Sequence, residues 1–397
     1  MRTDTGVRPP RSPLEGVRVL DLTRLLPGPV ASLILADLGA RVDKLEDPHP
    51  GDYLRAWPPF RGDTSGTYLA LNRDKRSVVV DLKKPAGQAL LRRMLASYDV
   101  LLEGFRPGVL ARLGLAPEAL VTEHLGLIVC SISGYGQTGP LAQRAGHDLN
   151  YLARAGVLGV TGPEGAPPAV PGVQMADVAG GGLWAVLAIL GALVERARTG
   201  RGAVLDTAMC EGAMALASFA LGAYFTDGVG LPRGASTLDG GLGLYNTYRT
   251  RDGGYVALGA LEPKFWAAFA QHAGLDPSLE AVLPGPHQQA LKEKLTALFA
   301  ERTRAEWEAF AAAHDCCLEP VLAPSELAED PQHKARGVFF PLPTPDGGTM
   351  LHLRTPTATR EAHSPARDAG ADTDAVLADA GLTPDEIAAL RSAYVVR

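Results

Sequence analysis

The sequence predicts an α/β fold: a large domain with a helix-covered parallel sheet, followed by a smaller α+β domain. Over the first 210 residues, short β-branched runs alternate with helical patterns. These runs are almost continuously apolar, which is typical of parallel strands covered on both faces. The composition then changes after Asp227, where Gly, Pro and Thr become frequent up to Gly243. That change indicates a linker to a second domain.

Element boundaries in the first half follow from hydrophobic spacing and from residues that stop each pattern. The helix over Val30–Leu38 begins behind Pro27-Gly28-Pro29 and ends at Gly39. The predicted strands are Val17–Leu22, Arg41–Leu45, Val78–Leu82, Val100–Leu102, Leu127–Ile132 and Ala203–Thr207. The other predicted helices are Pro85–Tyr98, an apolar helix that opens at the glycine run 180–182 and continues to Ala197, and Gly212–Phe225.

The second half is predicted to contain a hairpin and a group of helices. Tyr245–Arg249 and Tyr255–Leu258 have alternating patterns and are joined by Arg251-Asp252-Gly253-Gly254, which is a hairpin signal. A final helix is marked by Thr383 as its N-cap and by Glu386 three residues later. The remaining predicted helices are Lys264–Ala273, Gln288–Phe299 and Ala305–Ala313.

Composition and charge argue against several function classes. The 397 residues carry a formal net charge of −6, whereas nucleic-acid binding usually shows as a basic excess. Leu183–Val194, the most apolar stretch, is too short to span a bilayer, and Met1–Leu14 lacks the apolar core of a secretory signal. The four cysteines have no CxxC spacing. We expect a cytoplasmic protein without a metal, a membrane or a nucleic-acid partner.

Three residues that can exchange protons lie where helices are predicted to begin. His147 stands between Gly146 and Asp148, Asp177 precedes the glycine run, and Glu262 follows an apolar strand. Each can simply be a cap or a loop residue. Alternatively, a carboxylate at a helix N-terminus lies beside N–H groups that favour developing negative charge, and histidine titrates near neutral pH.

A set of basic residues lies near the predicted strand ends of the first half. These residues can be solvated surface charges, or they can form a pocket for a phosphorylated ligand. The set is Lys75, Arg76, Lys83, Lys84, Arg106 and Arg112. Gly134–Gly139 also fits the pattern GxGxxG, but no acidic residue follows about 20 positions later. We therefore interpret it as a loop at a strand end and not as a dinucleotide site.

Longer motifs between Leu14 and about Leu377 resemble the family III CoA-transferases. The motifs typical of that family are Pro27-Gly28-Pro29, Leu35–Ala40, Asn72–Ser77, Asp81-Leu82-Lys83, Glu103–Gly108 and Arg112–Leu115. Three others resemble its α-methylacyl-CoA racemase branch, namely Gly146–Tyr151, Leu238–Gly241 and Gly259–Pro263.

The resemblance implies a Rossmann-like large domain and an interlocked-ring homodimer. Residues 1–225 would form the N-terminal part of the large CoA-binding domain, 226–340 the small domain, and 341–397 a segment returning to the large domain. The active site would lie between the large domain of one subunit and the small domain of the other. The implied substrate is an acyl-CoA, with CoA as part of the thioester and no other cofactor required.

The resemblance also assigns roles to individual residues. His147 and Asp177 would exchange a proton with the α-carbon from opposite faces, with Glu262 orienting His147. Backbone N–H groups near Asp177 and the following glycines would stabilise the enolate. The implied CoA-binding residues are Leu82, Lys83, Phe105, Arg106, Arg112 and Gly146.

The expected reaction is interconversion of (2R)- and (2S)-2-methylacyl-CoA. Two alternatives are a CoA-transferase that forms an acyl anhydride on Asp177 and a non-catalytic acyl-CoA-binding protein. Three features depart from the racemase pattern. Asp47 stands where racemases commonly have an arginine that contacts CoA, and the stretch Gly51–Leu71 is long and transferase-like. Leu242 and Leu244, in place of an Ala-Pro-aromatic motif, can line an acyl pocket or belong to a core.

Overall fold

The computed structural model describes residues 12–397 and divides into two compact units. The first unit comprises residues 12–155, Val173–Leu216 and Pro331–Arg397, and the second comprises Gly156–Gly172 and Ala217–Asp330. The segment Gly156–Gly172, which lies inside the predicted range 1–225, thus groups with the second unit.

The strands are β1 (Arg18–Asp21), β2 (Arg41–Glu46), β3 (Phe60–Arg61), β4 (Thr64–Ser65), β5 (Lys75–Val79), β6 (Val100–Glu103), β7 (Ile128–Ser133), β8 (Val204–Ala208), β9 (Tyr245–Arg249), β10 (Tyr255–Gly259), β11 (Leu318–Pro320), β12 (Phe339–Pro343) and β13 (Thr349–Leu353).

The α-helices are α1 (Pro27–Asp37), α2 (Gly66–Asn72), α3 (Pro85–Leu95), α4 (Val109–Arg112), α5 (Pro117–Glu123), α6 (Asp148–Arg154), α7 (Trp184–Thr199), α8 (Met209–Leu216), α9 (Ser218–Asp227), α10 (Pro263–His272), α11 (His287–Phe299), α12 (Arg304–His314), α13 (Pro331–Ala335), α14 (Thr373–Asp379) and α15 (Pro384–Ser392). A π-helix over Ala176–Leu183 runs directly into α7, and short 3-10 helices cover Tyr53–Ala56, Leu158–Val160 and Leu279–Val282.

A six-stranded sheet in the order β5-β2-β1-β6-β7-β8 forms the centre of the first unit. All of its strand pairs are parallel, as the continuous apolar runs predict. The strand order reverses between β1 and β6, and open α/β sheets bind ligands at the carboxyl ends of the strands beside such a reversal. The parallel sheet of the α/β prediction is therefore confirmed.

One strand of this sheet begins earlier than the sequence indicates. The apolar pattern predicts a strand over Val78–Leu82, whereas β5 covers Lys75–Val79. Its first two residues are charged, and the apolar pattern therefore does not include them. Both are nevertheless held by buried acids: Lys75 Nζ lies 3.7 Å from Asp21 and Arg76 Nε lies 2.6 Å from Asp43. Their interpretation as phosphate ligands is accordingly wrong.

The C-terminal segment packs against the edge of the same sheet. The backbone N–H of Asp81 donates to the carbonyl of Val395 at 2.8 Å. The Arg73 guanidinium, which is fully buried, bonds to Asp37 and Asp74 at 2.6 Å and lies 3.1 Å from His363 Nδ1. Because the Arg73 guanidinium bonds to both carboxylates, the cluster is an ion-pair network that joins distant parts of the chain.

The glycine run is itself helical, so the apolar helix is longer than predicted. By length and composition alone, Ala176–Thr199 could cross a membrane, a test that core helices of soluble proteins also pass. Its first turns are closely packed within the unit. A Cβ at Gly180 would lie 2.4 Å from the Met209 carbonyl oxygen, and one at Gly182 would lie 3.0 Å from the Pro27 oxygen. Close helix packing explains the glycines.

The predicted helix over Gly212–Phe225 is two helices. Ala217 separates α8 from α9 because its backbone leaves the helical region, with ψ at 13°. The apolar composition continues across this residue, and the sequence pattern therefore contains no sign of the break. The same residue begins the part of the second unit that follows α8.

The second unit is built on an antiparallel sheet in the order β11-β10-β9. The predicted hairpin is confirmed, with Tyr255 paired to Arg249 across the turn. Helices α10, α11 and α12 cover the sheet with buried aromatic residues. Phe299, for example, stacks on Tyr248 at 4.8 Å and packs on Trp307 at 4.7 Å between ring centroids. This core is apolar and independent of the first unit's core.

Candidate active site

A cavity of about 490 Å³ lies in the first unit at the carboxyl ends of β1, β6 and β7. Thr23 follows β1, Gly104 follows β6 and Ser133 ends β7, and all three line it. This is the point where the strand order reverses, and it is where the fold predicts a ligand. His147 and Asp177 both line this cavity, although 30 positions separate them in the sequence.

His147 occupies the N-cap position of α6. Its backbone N–H donates to Asn150 Oδ1 at 3.0 Å, and its carbonyl accepts from the Asn150 N–H at 2.8 Å. These bonds fix the backbone where the helix starts, as expected for an N-cap. The imidazole is exposed at the edge of this cavity, where a substrate can reach it.

Asp177 lies in the first turn of the π-helix and not before it, because Met175 is the N-cap residue. Asp148 Oδ1 accepts from the N–H groups of Ala176 at 2.7 Å and Asp177 at 2.9 Å. The Asp177 side chain is half-buried. Burial, and secondly the negative charge of Asp148, raise the pKa of Asp177 to about 7. Such a carboxyl group can gain or lose a proton at neutral pH.

The expected enolate-stabilising donors near Asp177 do not serve that purpose. The N–H groups of Ala176 and Asp177 are already bound to Asp148. Gly181 is buried, and a Cβ there would lie 3.1 Å from Pro27 and 3.2 Å from Ile132. The glycine run therefore packs a helix against the sheet and presents no free donors to the cavity. The sequence showed the glycines but not which neighbour would take the N–H groups.

Tyr151 holds together the loops that carry His147. Its hydroxyl donates to the Gly146 carbonyl at 2.5 Å, and its ring meets Tyr135 edge-on at 5.1 Å between centroids. A Cβ at Gly134 would lie 2.4 Å from this ring, and one at Gly146 would lie 2.7 Å from it. Both glycines are thus required by the close approach of Tyr151, and the loop after β7 serves packing as well as cavity lining.

A second cavity of about 330 Å³ adjoins the first, because Phe105 and Arg24 line both. Leu82 and Lys83 also line this second cavity, whereas Arg106 and Gly146 line the first. Five of the six implied CoA-binding residues thus face two neighbouring cavities. Arg112 is the exception: it ends α4 in an exposed position outside both.

Asp47 makes an ion pair with a residue implied in CoA binding. Its Oδ2 lies 2.9 Å from Lys83 Nζ, whose side chain is 71% exposed. The hydrogen bond to Asp47 raises the pKa of Lys83. Asp47 therefore neutralises the charge of a lysine that lines the second cavity.

Sequence reasoning missed Arg24, which lies at the junction of the two cavities. Its Nη1 donates to the Tyr53 hydroxyl at 2.8 Å, and its guanidinium lies 4.7 Å from the Tyr53 ring centroid. The position alone was a signal, because Arg24 follows β1 and therefore lies at the carboxyl edge of the sheet. Tyr53 belongs to the long stretch Gly51–Leu71, so this stretch supports the cavity wall.

The loop that carries Arg24 is held by hydrogen bonds to buried charged side chains. Leu25 has φ at 65°, a left-handed conformation rarely adopted by leucine. Its N–H donates to Asp52 Oδ1 at 3.1 Å, and Asp52 pairs with Lys44 at 2.9 Å. Lys44 in turn donates to the Thr23 carbonyl at 2.8 Å. This chain of bonds compensates the strain of the loop.

Glu262 lies in the second unit, where it is the exposed N-cap residue of α10. Leu242 and Leu244, which the sequence left open as acyl-pocket or core residues, are buried in the aromatic core of that unit. Tyr245 instead lines an open cavity of about 560 Å³ beside Asp239 and Cys317. The Leu-Gly-Leu motif is therefore a packing feature.

The chain matches the model of CoA-transferase family III over residues 14–373. It belongs to that family. It is 40% identical to the human α-methylacyl-CoA racemase over 96% of this chain and 97% of the relative. It is 35% identical to the mouse succinyl-CoA:glutarate CoA-transferase, over 87% of this chain and 78% of the relative. A CaiB/BaiF family protein from Brucella suis has a similar structure, with a TM-score of 0.80 and 31% identity, covering 93% and 99% of the two chains.

In this family III chain, His147 and Asp177 line a cavity at the sheet's switch point, and the Arg24–Tyr53 contact forms part of the wall of the adjoining cavity. The family contains enzymes that act on CoA thioesters, and the shape and charges of the two adjoining cavities are consistent with such a substrate.

Proposed function

We propose that this family III enzyme interconverts the two configurations of 2-methylacyl-CoA thioesters by 1,1-proton transfer. One observation carries the proposal: His147, which belongs to a racemase-like motif, and Asp177, a second residue that can exchange a proton, line one cavity. The full-length similarity to a racemase supports it. A 1,1-proton transfer needs an acid and a base that reach the same carbon, and a shared cavity meets that requirement.

The thioester makes the α-carbon weakly acidic, and one residue of the pair removes its proton. The C–H electron pair moves toward the thioester carbonyl and forms an enolate. The other residue then returns a proton to the opposite face of the carbon. A pKa near 7 suits Asp177 to both directions, because its acid and its base are both populated at neutral pH. No further cofactor takes part.

Each of the two adjoining cavities holds one part of the substrate. The acyl thioester occupies the cavity with the acid/base pair, and CoA extends toward the second cavity past Phe105. Arg106 and Arg24 supply positive charge for its phosphates, and Lys83 reaches a phosphate when its ion pair with Asp47 opens. Arg112, outside both cavities, binds a phosphate that remains at the surface.

We further propose that a second copy of the chain completes the site with its Glu262, which orients His147. The exposed imidazole of His147 is consistent with a partner for its ring outside its own unit. Helix α7 also leaves apolar side chains uncovered at helical spacing, which favours an interface. These exposed residues are Trp184, Leu187 and Val194.

A CoA-transferase is the second candidate, favoured by the Arg24–Tyr53 wall and by the transferase relatives. It would use Asp177 as a nucleophile on a carboxylic acid. The test is incubation with an acyl-CoA, a free carboxylic acid and hydroxylamine. The racemase proposal predicts no CoA exchange and no aspartyl hydroxamate on the Asp177 side chain, which mass spectrometry of the protein detects. Exchange that is lost in Asp177→Ala, with a trapped acyl-enzyme in the wild type, would support the transferase instead.

A further inference from the structure

The second cavity, toward which CoA extends in the proposed function, contains little uncompensated positive charge. Arg24 and Lys83 line it, and so do the acids Glu46 and Asp47. Glu46 accepts hydrogen bonds from Arg55 Nη2 at 2.6 Å and Nε at 2.9 Å, so its charge is balanced from outside the cavity. Asp47 pairs with Lys83 at 2.9 Å. Within residues 12–397, Arg24 is thus the lining cation that no carboxylate pairs with.

Within the Asp47–Lys83 ion pair, the carboxylate is held in place and the ammonium is not. Asp47 Oδ1 accepts from the His49 backbone N–H at 2.9 Å, and the Asp47 side chain is 28% exposed. The Lys83 side chain is 71% exposed, and its ammonium forms no other ion pair within residues 12–397. Lysine carries its charge at the end of a flexible four-carbon chain. The ammonium can therefore turn to another anion while the carboxylate stays at the cavity.

A phosphate of CoA in this cavity would attract the same ammonium. The hydrogen bond and the charge of Asp47 raise the pKa of Lys83, whereas the positive charge of Arg24 lowers it. Lys83 and Arg24 therefore lie within electrostatic reach of each other. Lysine binds phosphate as a point charge. A carboxylate 2.9 Å from that charge both cancels it and repels the incoming phosphate.

We propose that the Asp47 carboxylate competes with a phosphate group of CoA for Lys83 and thereby weakens the binding of CoA. The inference rests on the proposed function for the position of CoA, but not on which reaction follows. It makes Asp47 a specificity determinant, because Asp47 lowers the contribution that one phosphate makes to the affinity. Arg24 then supplies the free positive charge of this cavity.

The variant Asp47→Asn tests the proposal, because it removes the negative charge and keeps Oδ1 as an acceptor for the His49 N–H. The Kd of CoA is measured by calorimetry at low ionic strength. We expect the Kd to fall about fivefold in Asp47→Asn, and the difference to shrink at high salt. An unchanged Kd at low ionic strength would overturn the proposal.

Asp81→Asn is the matched control for a change in net charge. Asp81 Oδ1 accepts from the Lys83 backbone N–H at 3.0 Å, but Asp81 is not among the residues that line the cavity. Its removal of one negative charge should leave the Kd of CoA within about twofold of the wild-type value. An equal fall in Asp81→Asn and Asp47→Asn would contradict a specific role for Asp47.

The double variant Asp47→Asn/Lys83→Ala shows whether Asp47 acts through Lys83. In the Lys83→Ala background, Asp47→Asn should lower the Kd by less than about twofold, and an undiminished gain there would overturn the proposal. The same titrations with 3′-dephospho-CoA identify the phosphate. A gain confined to CoA assigns the 3′-phosphate, a gain with both ligands assigns the pyrophosphate, and either result supports the competition. A wild type that binds CoA but exchanges no α-proton would count against the racemase, and these Kd values would still test Asp47.

Discussion

Asp148 and Asp177 are joined by a hydrogen bond of 2.9 Å from the Asp177 backbone N–H to Asp148 Oδ1. The same oxygen accepts from the Ala176 N–H at 2.7 Å. Asp148 therefore caps the helix that carries Asp177 and places a negative charge near its carboxyl group. Because Asp148 directly follows His147, one dipeptide contributes to the positions of both residues that we propose as the acid/base pair.

The first prediction concerns Asp148→Asn, which keeps an oxygen acceptor for the cap and removes the negative charge. Burial and the Asp148 charge raise the pKa of Asp177 to about 7, so removing the charge should lower that pKa. The limb of the pH–rate profile that reports Asp177 should move to lower pH, with kcat on the plateau little changed. The profile of kcat/KM for proton exchange measures this shift. A limb that stays in place would show that Asp148 acts only as a cap.

The second prediction concerns the stability of Asp177→Asn. The pKa of Asp177 is raised from 3.8 to about 7 on folding. The folded state therefore holds its proton more tightly, and the wild type loses stability as the pH rises from about 4 to about 7. Asparagine does not ionise, so the variant does not lose stability in this way as the pH rises. Above pH 7 its free energy of unfolding should exceed that of the wild type by on the order of 2 kcal/mol.

Urea unfolding at pH 8 and at pH 5 measures that difference. The free energy of unfolding of Asp177→Asn should exceed that of the wild type by more at pH 8 than at pH 5. Catalysis should be lost at both pH values. An advantage that does not depend on pH would contradict the raised pKa.

The third prediction concerns Gly134→Ala. The added methyl would lie 2.4 Å from the Tyr151 ring, so the ring must move, at a cost of about 2 kcal/mol. That movement disturbs the loop that carries His147, and activity should fall with stability. The double variant Gly134→Ala/Tyr151→Leu removes the ring and serves as the control. Its loss of unfolding free energy should be smaller than the sum of the single losses, whereas strict additivity would exclude the contact.

The fourth prediction tests whether two chains share each site. His147→Ala and Glu262→Ala chains, each inactive alone, are co-expressed with different tags. If Glu262 acts on the partner's cavity, one of the two sites in a mixed dimer carries both changes and the other is intact. A doubly purified mixed dimer should therefore have about half of the wild-type activity. An inactive mixed dimer would mean that both residues act within one chain.

The parallel sheet was predictable because apolar strand runs and helical spacing are local patterns. The beginning of β5 was not, because Lys75 and Arg76 look like surface charges until Asp21 and Asp43, distant in sequence, are placed beside them. The break at Ala217 likewise leaves no mark in an apolar sequence.

The candidate site, like the fold, was only partly predictable from the sequence. His147 is indicated by its motif and Asp177 by its place before the glycine run, and the fold brings both to one cavity. The occupation of the Asp177 N–H group by Asp148 could not be predicted, because it depends on how two separate helices meet. Arg24 belongs to no motif that signals chemistry by itself, and only its place at the end of a strand brings it to both cavities.

The central claim is that this enzyme moves a proton at the α-carbon of an acyl-CoA. The most direct measurement follows a single enantiomer of a 2-methylacyl-CoA in deuterated water without any acceptor acid, by mass spectrometry and chiral analysis. We predict α-deuterium incorporation together with inversion toward an equal mixture, and loss of both in His147→Ala and in Asp177→Ala. Retained configuration with no deuterium, followed by CoA exchange once a carboxylic acid is added, would contradict the account.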